Sequence, residues 1–182
     1  RNNLKGNLLP REKFYFFDLL SPLMNSSAND ASVAIAISAK GSEAGFVRAM
    51  NHWAKKNNFI KTSFGDSTGH STESKSTARE FLEIFRIVSS DPLIARIFAE
   101  KSRKTTSLGD RVCDFNSTGD SLGRWGVEKG QFGITGSTIA ARHCYAGYFP
   151  SGANGFYMIL LGARTAWWEV LVLKNVADSY YK

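Results

Sequence analysis

The sequence has no apolar run long enough to cross a bilayer. A membrane-spanning helix needs about 20 apolar residues, and the best candidate, Phe156-Tyr157-Met158-Ile159-Leu160-Leu161, has only the length of a β-strand. Internal repeats and low-complexity tracts are also missing, so nothing in the sequence suggests a second domain. With 182 residues, of which 43% are apolar, the chain can bury a substantial core. We therefore expect one domain spanning residues 1–182.

Cysteine is scarce, and no export signal is recognisable. The two cysteines, Cys113 and Cys144, are compatible with one disulfide bond or with two free thiols, and buried small apolar side chains are the simplest interpretation. The chain begins at Arg1, without an initiator methionine or a signal peptide. Such a start is expected of a mature secreted protein and equally of a fragment.

The charge is unbalanced, with a net charge of +7. This excess favours anionic partners, such as a nucleic acid, a membrane surface or an anionic cell-wall polymer. The basic residues are nevertheless dispersed, and the two clusters, Lys55-Lys56 and Lys101-Arg103-Lys104, are typical of solvated helix or turn positions. Because no nucleic-acid-binding motif accompanies the charge, we expect no nucleic acid partner.

Helical signals fill the first half of the chain, and strand signals fill the second half. The apolar run of residues 14–24 should pack deep in the core, and small residues predict a buried helix over 30–38 that ends at Gly41. Ser42 should cap an amphipathic helix over 43–57. Further helices are expected at 78–89, from Asp91-Pro92 through residue 99, and at 165–181, the last with Trp167, Val170, Leu171, Leu173, Val176 and Ala177 on its buried side. Strands are expected near 110–115, 132–138, 143–149 and 155–162, which together predict an α+β fold.

Two short islands about a hundred residues apart carry the functional signal. The first is Ser26-Ser27-Ala28-Asn29-Asp30-Ala31, and the second is Gly133-Ile134-Thr135-Gly136-Ser137-Thr138. Roughly one S-x-N match is expected by chance in a chain of this composition, so the motif alone means little. The residues around the motif make the match more specific.

Residues around both islands recur at the spacing of one enzyme family. They include Asp18-Leu19-Leu20, Gly41-Ser42-Glu43, Phe46-Val47, Met50-Asn51, Thr62-Ser63-Phe64, Ser76-Thr77-Ala78-Arg79, Asn116-Ser117-Thr118 and Leu160-Leu161-Gly162-Ala163. Over residues 8–163 the chain resembles D-alanyl-D-alanine carboxypeptidases, the low-molecular-weight penicillin-binding proteins of the serine β-lactamase-like superfamily. Ser27-Ala28-Asn29 matches their S-x-N element, and Ile134-Thr135-Gly136 matches K-T-G with isoleucine in place of lysine.

The resemblance implies an α+β fold with an antiparallel sheet flanked by helices. An all-helical lobe would span about residues 18–100, and the sheet with the C-terminal helix would span about 105–182. The cleft would lie between the lobes, with Ser27 and Asn29 facing Thr135. If residues 1–182 were the whole chain, the family's N-terminal segment would be missing, and a partner chain or self-association would have to complete the exposed core.

The resemblance also implies roles for individual residues. Ser27 would help relay protons, and the Asn29 amide would hold the substrate backbone. Thr135, Gly136 and Thr138 would line the opposite wall and bind the substrate carboxylate. Ile134 cannot supply the cation of K-T-G, and Arg142 or His143 could replace that charge. No metal ion or cofactor is implied.

The nucleophile is the open question. The family's serine stands in an S-x-x-K motif before the other two elements, because its lysine, one helical turn away, activates the serine. The match here, Ser179-Tyr180-Tyr181-Lys182, follows both elements and is accidental. Two hypotheses follow: a catalytically silent domain that binds or supports a component of the cell envelope, or an active serine carboxypeptidase that trims peptidoglycan stem peptides with a nucleophile N-terminal to Arg1. Either would work outside the cytoplasm, in the periplasm or at the cell surface, and a drug-hydrolysing β-lactamase is less consistent with these residues.

Overall fold

The computed structural model describes residues 6–99, 102–116, 132–151 and 154–180. Contacts group these residues into two compact units, one of residues 6–77 and 102–116, the other of the remainder. No helix in the described parts of the chain is long and apolar enough to cross a membrane. Helices precede most strands along the chain, and every strand pair is antiparallel. The predicted α+β class is therefore confirmed.

The first unit consists of four helices and a hairpin in its described residues. Their bounds are Phe16–Leu19 for a 3-10 helix, Leu20–Ser26 for α1, Asn29–Lys40 for α2, Glu43–Lys56 for α3, Ser102–Thr106 for β1 and Val112–Asn116 for β2. Its core is built around the buried side chains of Leu19, Ala28, Ala31 and Ile35. Ala31, Ile35 and Ala36 bury one side of α2, but Ile37 is 49% exposed, so the helix is less buried than predicted.

The caps of α2 and α3 follow the predicted local signals. Gly41 ends α2 with a left-handed φ of 72°, a conformation that glycine adopts without strain. The Ser42 hydroxyl accepts the Gly45 N–H at 3.1 Å and so caps α3. Both predictions are confirmed.

An ion pair ties the N-terminal segment to β2. The Arg111 guanidinium donates to the Glu12 carboxylate through Nε at 2.6 Å and to the Asn7 carbonyl at 3.1 Å. These hydrogen bonds from Arg111 lower the pKa of Glu12 to about 2. The carboxylate therefore stays ionised over the whole physiological range and holds the two segments together.

The aromatic run at residues 14–24 is less buried than predicted. Tyr15 and Phe17 are 67% and 62% exposed, whereas Leu19 is buried. A single turn of 3-10 helix leads into α1, and such a short element turns only part of its surface to the core. The expectation of deep burial was wrong for Tyr15, Phe16 and Phe17.

Arg103 and Lys104 of the basic cluster lie in a strand and not in a helix or a turn. Residues 102–106 form β1, in which Lys104 is exposed and Thr105, next along the strand, is 2% exposed. Alternation of this kind is the rule for a strand with one face on a core. Pairing with β2 therefore determines the local structure, and Lys101 itself is outside the described residues.

In its described residues, the second unit is a three-stranded antiparallel sheet between helices. Its elements are α4 (Ala78–Ser89), α5 (Pro92–Ala99), β3 (Phe132–Thr138), β4 (Arg142–Ser151), β5 (Asn154–Ala163) and α6 (Ala166–Tyr180), with the strands in the order β3-β4-β5. One face of the sheet packs on α6 through Tyr145, Phe149, Phe156, Met158 and Val170. On the other face, Phe85 of α4 and Phe98 of α5 pack against Phe132.

Only a narrow stripe of α6 is buried. Val170 and Ala177, two turns apart, pack on the sheet, while Leu173 and Val176 are 41% and 50% exposed. A helix lying on a sheet buries the residues directly beneath it, and Leu173 and Val176 lie at the sides of that stripe. The prediction of burial was wrong for these two residues, and the Trp167 side chain is outside the described residues.

Candidate active site

The S-x-N element forms the corner between α1 and α2. Ser27 ends α1 in the left-handed conformation, with φ 51° and ψ 43°, and α2 begins at Asn29. The Ala28 N–H donates to the Pro22 carbonyl at 3.0 Å, which closes α1 in the manner of a Schellman motif. A left-handed conformation costs a residue other than glycine about 1–2 kcal/mol. The corner therefore holds Ser27, a half-buried residue, at the expense of backbone strain.

Asp30 anchors this corner to the N-terminal segment. Its carboxylate accepts the N–H groups of Gly6 at 3.1 Å, Leu8 at 2.9 Å and Ala31 at 2.9 Å. Gly6 lies so close that a Cβ atom there would be 2.3 Å from Asp30 Oδ1. Sequence reasoning assigned no role to Asp30, although an acidic residue in the first turn of a helix was a usable signal.

The Ile134-Thr135-Gly136 element lies in the middle of β3. Thr135 pairs with Tyr145, Ile134 with Ala146 and Gly136 with Cys144. Because successive side chains of a strand point to opposite faces, Ile134 shares its face with Phe132, on the side of α4 and α5, whereas Thr135 shares its face with Tyr145, on the side of α6. Ile134 is half-buried and continues an apolar surface.

Tyr145 packs against β3 on the face of the sheet that α6 covers. Its ring lies over the cross-strand pair Gly133 and Gly147, where an added Cβ would approach the Tyr145 hydroxyl oxygen to 2.6 Å and 2.0 Å. The two glycines thus leave room for the ring, a form of cross-strand pairing that compensates for their missing side chains. Burial raises the pKa of Tyr145, so the phenol is neutral at all physiological pH values.

A recess of about 480 Å³ opens where β3 turns into β4. Its charged side chains come from Arg142, at the start of β4, and Arg164, just after β5, and His143 also lines it. The complete lining is Ser137, Thr138, Ile139, Arg142, His143, Ala163 and Arg164. Two arginines and two hydroxyl groups make this recess suited to an anion such as a carboxylate.

A β-bulge brings Arg164 to the recess. The β4–β5 register shifts between His143 and Tyr145, and Gly162 on β5 has a φ of 72°. The extra residue leaves Ala163 opposite His143 and puts Arg164 at the edge of the sheet. Sequence reasoning missed Arg164, since the bulge depends on pairing between strands.

Glu169 is the carboxylate found beside this recess. It accepts the N–H groups of Thr165 at 3.1 Å and Arg164 at 3.0 Å. These hydrogen bonds, that from Thr165 first, lower the pKa of Glu169. The Glu169 carboxylate is thus hydrogen-bonded to the backbone just before α6 and at Arg164.

The structure describes every predicted site residue, but in separate units. Ser27 and Asn29 belong to the first unit, and Thr135, Gly136, Thr138 and Arg142 belong to the second. Within the second unit, Thr138 and Arg142 come together at the recess, while Thr135 and Gly136 lie farther along β3. That Ser27 and Asn29 face Thr135 across a cleft remains a prediction.

The described residues contain neither a disulfide bond nor a cluster suited to a metal ion. Cys113 and Cys144 are both free thiols, and burial raises the pKa of Cys113. Of the two alternatives left by the sequence, the structure has two thiols rather than a disulfide. Residues 6–99, 102–116, 132–151 and 154–180 contain no group of three or more His, Cys, Asp or Glu side chains that could hold a metal ion.

Comparison with known proteins identifies the family. The model of the D-alanyl-D-alanine carboxypeptidase family matches residues 3–165. The chain belongs to this family. It is 31% identical over 130 residues to a D-alanyl-D-alanine endopeptidase of Escherichia coli K12, an alignment that covers 70% of this chain and 41% of that protein.

Two solved structures share the fold. The D-alanyl-D-alanine carboxypeptidase of Mycobacterium tuberculosis H37Rv superposes with a TM-score of 0.78 at 25% identity, over 90% of this chain and 64% of that one. The Streptomyces K15 DD-transpeptidase gives a TM-score of 0.78 at 20% identity, over 88% of this chain and 65% of that one. The DD-peptidase-like fold expected from the sequence is thus confirmed, and the chain spans less than half of the curated relative.

Proposed function

We propose that this chain binds the D-alanyl-D-alanine end of peptidoglycan stem peptides without cleaving them, and that it serves as a binding or structural component of the cell envelope, outside the cytoplasm. The observation that carries the proposal is Ile134, which occupies the lysine position of K-T-G on the apolar face of β3. A partner chain or a second copy would complete the fold, and we expect no nucleic acid partner.

The missing charge at Ile134 is an electrostatic reason to expect no catalysis. A charge-assisted hydrogen bond contributes about 1.5–3 kcal/mol, and isoleucine has neither a charge nor a donor to make one. Its nearest neighbours on that face, Phe132 and Ala146, are also apolar, and Arg142, which shares the face, pairs with Thr138 at the end of β3. A nucleophile beside Ile134 would therefore lack the positive potential that a lysine at this position supplies to developing negative charge.

Substrate binding is supported by groups that remain. β3 is an edge strand of the described sheet, and an edge strand can add an extended peptide through backbone hydrogen bonds. The recess at the end of that strand supplies Arg142 and Arg164, and among the described residues neither side chain is held in an ion pair. A peptide along β3 would present its terminal carboxylate to these arginines.

An active serine carboxypeptidase is the second candidate, with its nucleophile on a segment N-terminal to Arg1. The left-handed Ser27 favours it, because strained residues concentrate at working sites. In that case Ser27 would relay protons to the leaving group, and Arg142 or Arg164 would replace the missing lysine charge.

Two measurements separate the candidates. Intact mass spectrometry before and after incubation with a penicillin reports acylation, and isothermal titration with a peptide ending in D-Ala-D-Ala, against the same peptide amidated at its C-terminus, reports binding. The proposal predicts no mass adduct, together with binding that amidation weakens by about tenfold, as expected for the loss of one charge-assisted contact. A penicillin adduct would establish the second candidate, and equal affinity for both peptides would remove the carboxylate recess from the site.

The change Ile134→Lys tests the role of the missing cation. If the protein is an enzyme weakened by isoleucine at this position, the variant should gain penicillin acylation. If it is silent for want of a nucleophile, the variant should remain unacylated. Ile134→Met is the matched control, because methionine has an unbranched side chain like that of lysine but carries no charge.

A further inference from the structure

The solvent-facing side of α3 is basic and free of acidic residues. Residues 44–65 contain four Lys or Arg and no Asp or Glu, in a chain whose net charge is +7. Arg48, His52, Lys55 and Lys56 are all exposed. Their spacing of four, three and one residues keeps them on one side of a helix. These four residues together with Ile60 are called the basic face below.

The rotation of α3 about its axis is fixed, so the basic face cannot turn inward. The Asn51 side chain donates to the Phe64 carbonyl at 2.8 Å and accepts the Phe64 N–H at 2.9 Å. Ala54 is fully buried on the same inward side. Within the described part of the chain, Arg48, Lys55 and Lys56 take part in no ion pair, and their charges are available to an outside partner.

Ile60 extends the face beyond the end of α3 and is 80% exposed. The turn that presents it is well held. Asn58 is left-handed with a φ of 62°, and the Phe59 N–H donates to the Ala54 carbonyl at 2.9 Å. Phe59 itself is buried, with its ring 5.6 Å from that of Trp53. Because Phe59 packs inward, the next side chain is exposed to solvent, four residues after Lys56 along the chain.

We propose that the basic face docks on the surface of an anionic phospholipid bilayer. Lysine and arginine side chains near such a surface are attracted to its phosphate groups. An apolar side chain held among them gains further by entering the boundary between headgroups and acyl chains, which a soluble polyanion does not offer. Ile60 is therefore the residue that favours a membrane over a polymer, and this contact would hold the protein beside the membrane independently of peptide binding.

Cosedimentation with vesicles tests the proposal. The chain should bind mixed phosphatidylcholine–phosphatidylglycerol vesicles, bind phosphatidylcholine vesicles much less, and be released by salt. Lys55→Glu with Lys56→Glu should weaken binding by about tenfold or more. The control, Lys13→Glu with Lys104→Glu, changes the net charge equally at exposed positions of the same unit and should weaken it far less.

Ile60→Ser separates the membrane from a polymer. The variant should bind anionic vesicles several-fold more weakly while binding soluble polyphosphate as well as the native chain does. Equal vesicle binding by Ile60→Ser and the native chain would assign the face to a soluble polyanion and overturn the proposal. Absence of vesicle binding by the native chain, or equal losses in the two double variants, would overturn it as well.

Discussion

The corner at Ser27 and the strand at Thr135 match two short motifs of one family, and they match them in different ways. At the corner, the residues of S-x-N are present, the backbone takes up a strained left-handed turn, and Asp30 anchors it. On β3, the backbone pairing is regular, but the charged side chain is replaced by Ile134. Geometry built by several backbone hydrogen bonds is hard to lose by one substitution, whereas a charge supplied by one side chain is not.

The largest expected effect comes from Gly147→Ala, which breaks the strand half alone. The new Cβ would lie 2.0 Å from the hydroxyl oxygen of Tyr145, whose buried ring cannot swing away. We expect a loss of about 3 kcal/mol in the free energy of unfolding, measured by urea denaturation. Gly136→Ala is the control, because a Cβ there meets nothing within 4 Å. Equal effects of the two substitutions would contradict the packing assigned to Tyr145.

Asp30→Asn should break the corner half, with a somewhat smaller effect. The amide keeps the size of the carboxylate but loses its charge and turns an N–H₂ group toward one of the N–H donors of Gly6 and Leu8. Loss of these charge-assisted hydrogen bonds should cost about 2 kcal/mol of unfolding free energy. Asp110→Asn, at an exposed left-handed turn, should be nearly neutral. If the two variants unfold at the same urea concentration, Asp30 does not anchor the corner.

Acid should lower the free energy of unfolding by weakening the contacts of the N-terminal segment. This segment is bonded to Asp30 at the corner, so the effect belongs to the corner half of the comparison. The pKa of Glu12 is lowered to about 2 by its hydrogen bonds with Arg111, below the unfolded value of about 4.3. A lowered pKa contributes stability that is complete above the unfolded value and is lost as the pH falls from about 5 toward 2. Glu12→Gln should remove part of this acid dependence in pH-jump unfolding. Glu83→Gln, in an exposed pair with Arg86, should leave it unchanged, and an identical acid profile for all three proteins would rule out the Glu12–Arg111 pair.

The smallest effect, and the only gain, is expected from Ser27→Gly. Glycine adopts φ 51° without strain, so the free energy of unfolding should rise by about 0.5–1 kcal/mol, even though the hydroxyl is lost. Ser27→Ala removes the same hydroxyl without relieving the backbone and should give no gain. Differential scanning calorimetry of the three proteins measures the difference, and a lower melting temperature for the glycine variant would mean that the Ser27 side chain stabilises the corner.

The sequence predicted those helix ends that depend only on interactions between neighbouring residues. Gly41 and Ser42 mark the end of α2 and the start of α3 because capping depends on neighbouring residues alone. The strand β1 was not predicted because its sequence, with Arg103 and Lys104, becomes a strand only by pairing with β2. Arg164 was missed for a related reason, since a bulge at Gly162 brings it to the recess.

The left-handed Ser27 also bears on how this sequence can change over time. Once a chain is released from catalysis, the substitutions that this position accepts most easily are glycine and asparagine, since both relax the backbone. A set of close relatives that drift to these residues would record a site no longer under selection. Serine held at this position across many relatives, beside a variable residue at 134, would indicate that selection still acts on the hydroxyl after the cation has been lost.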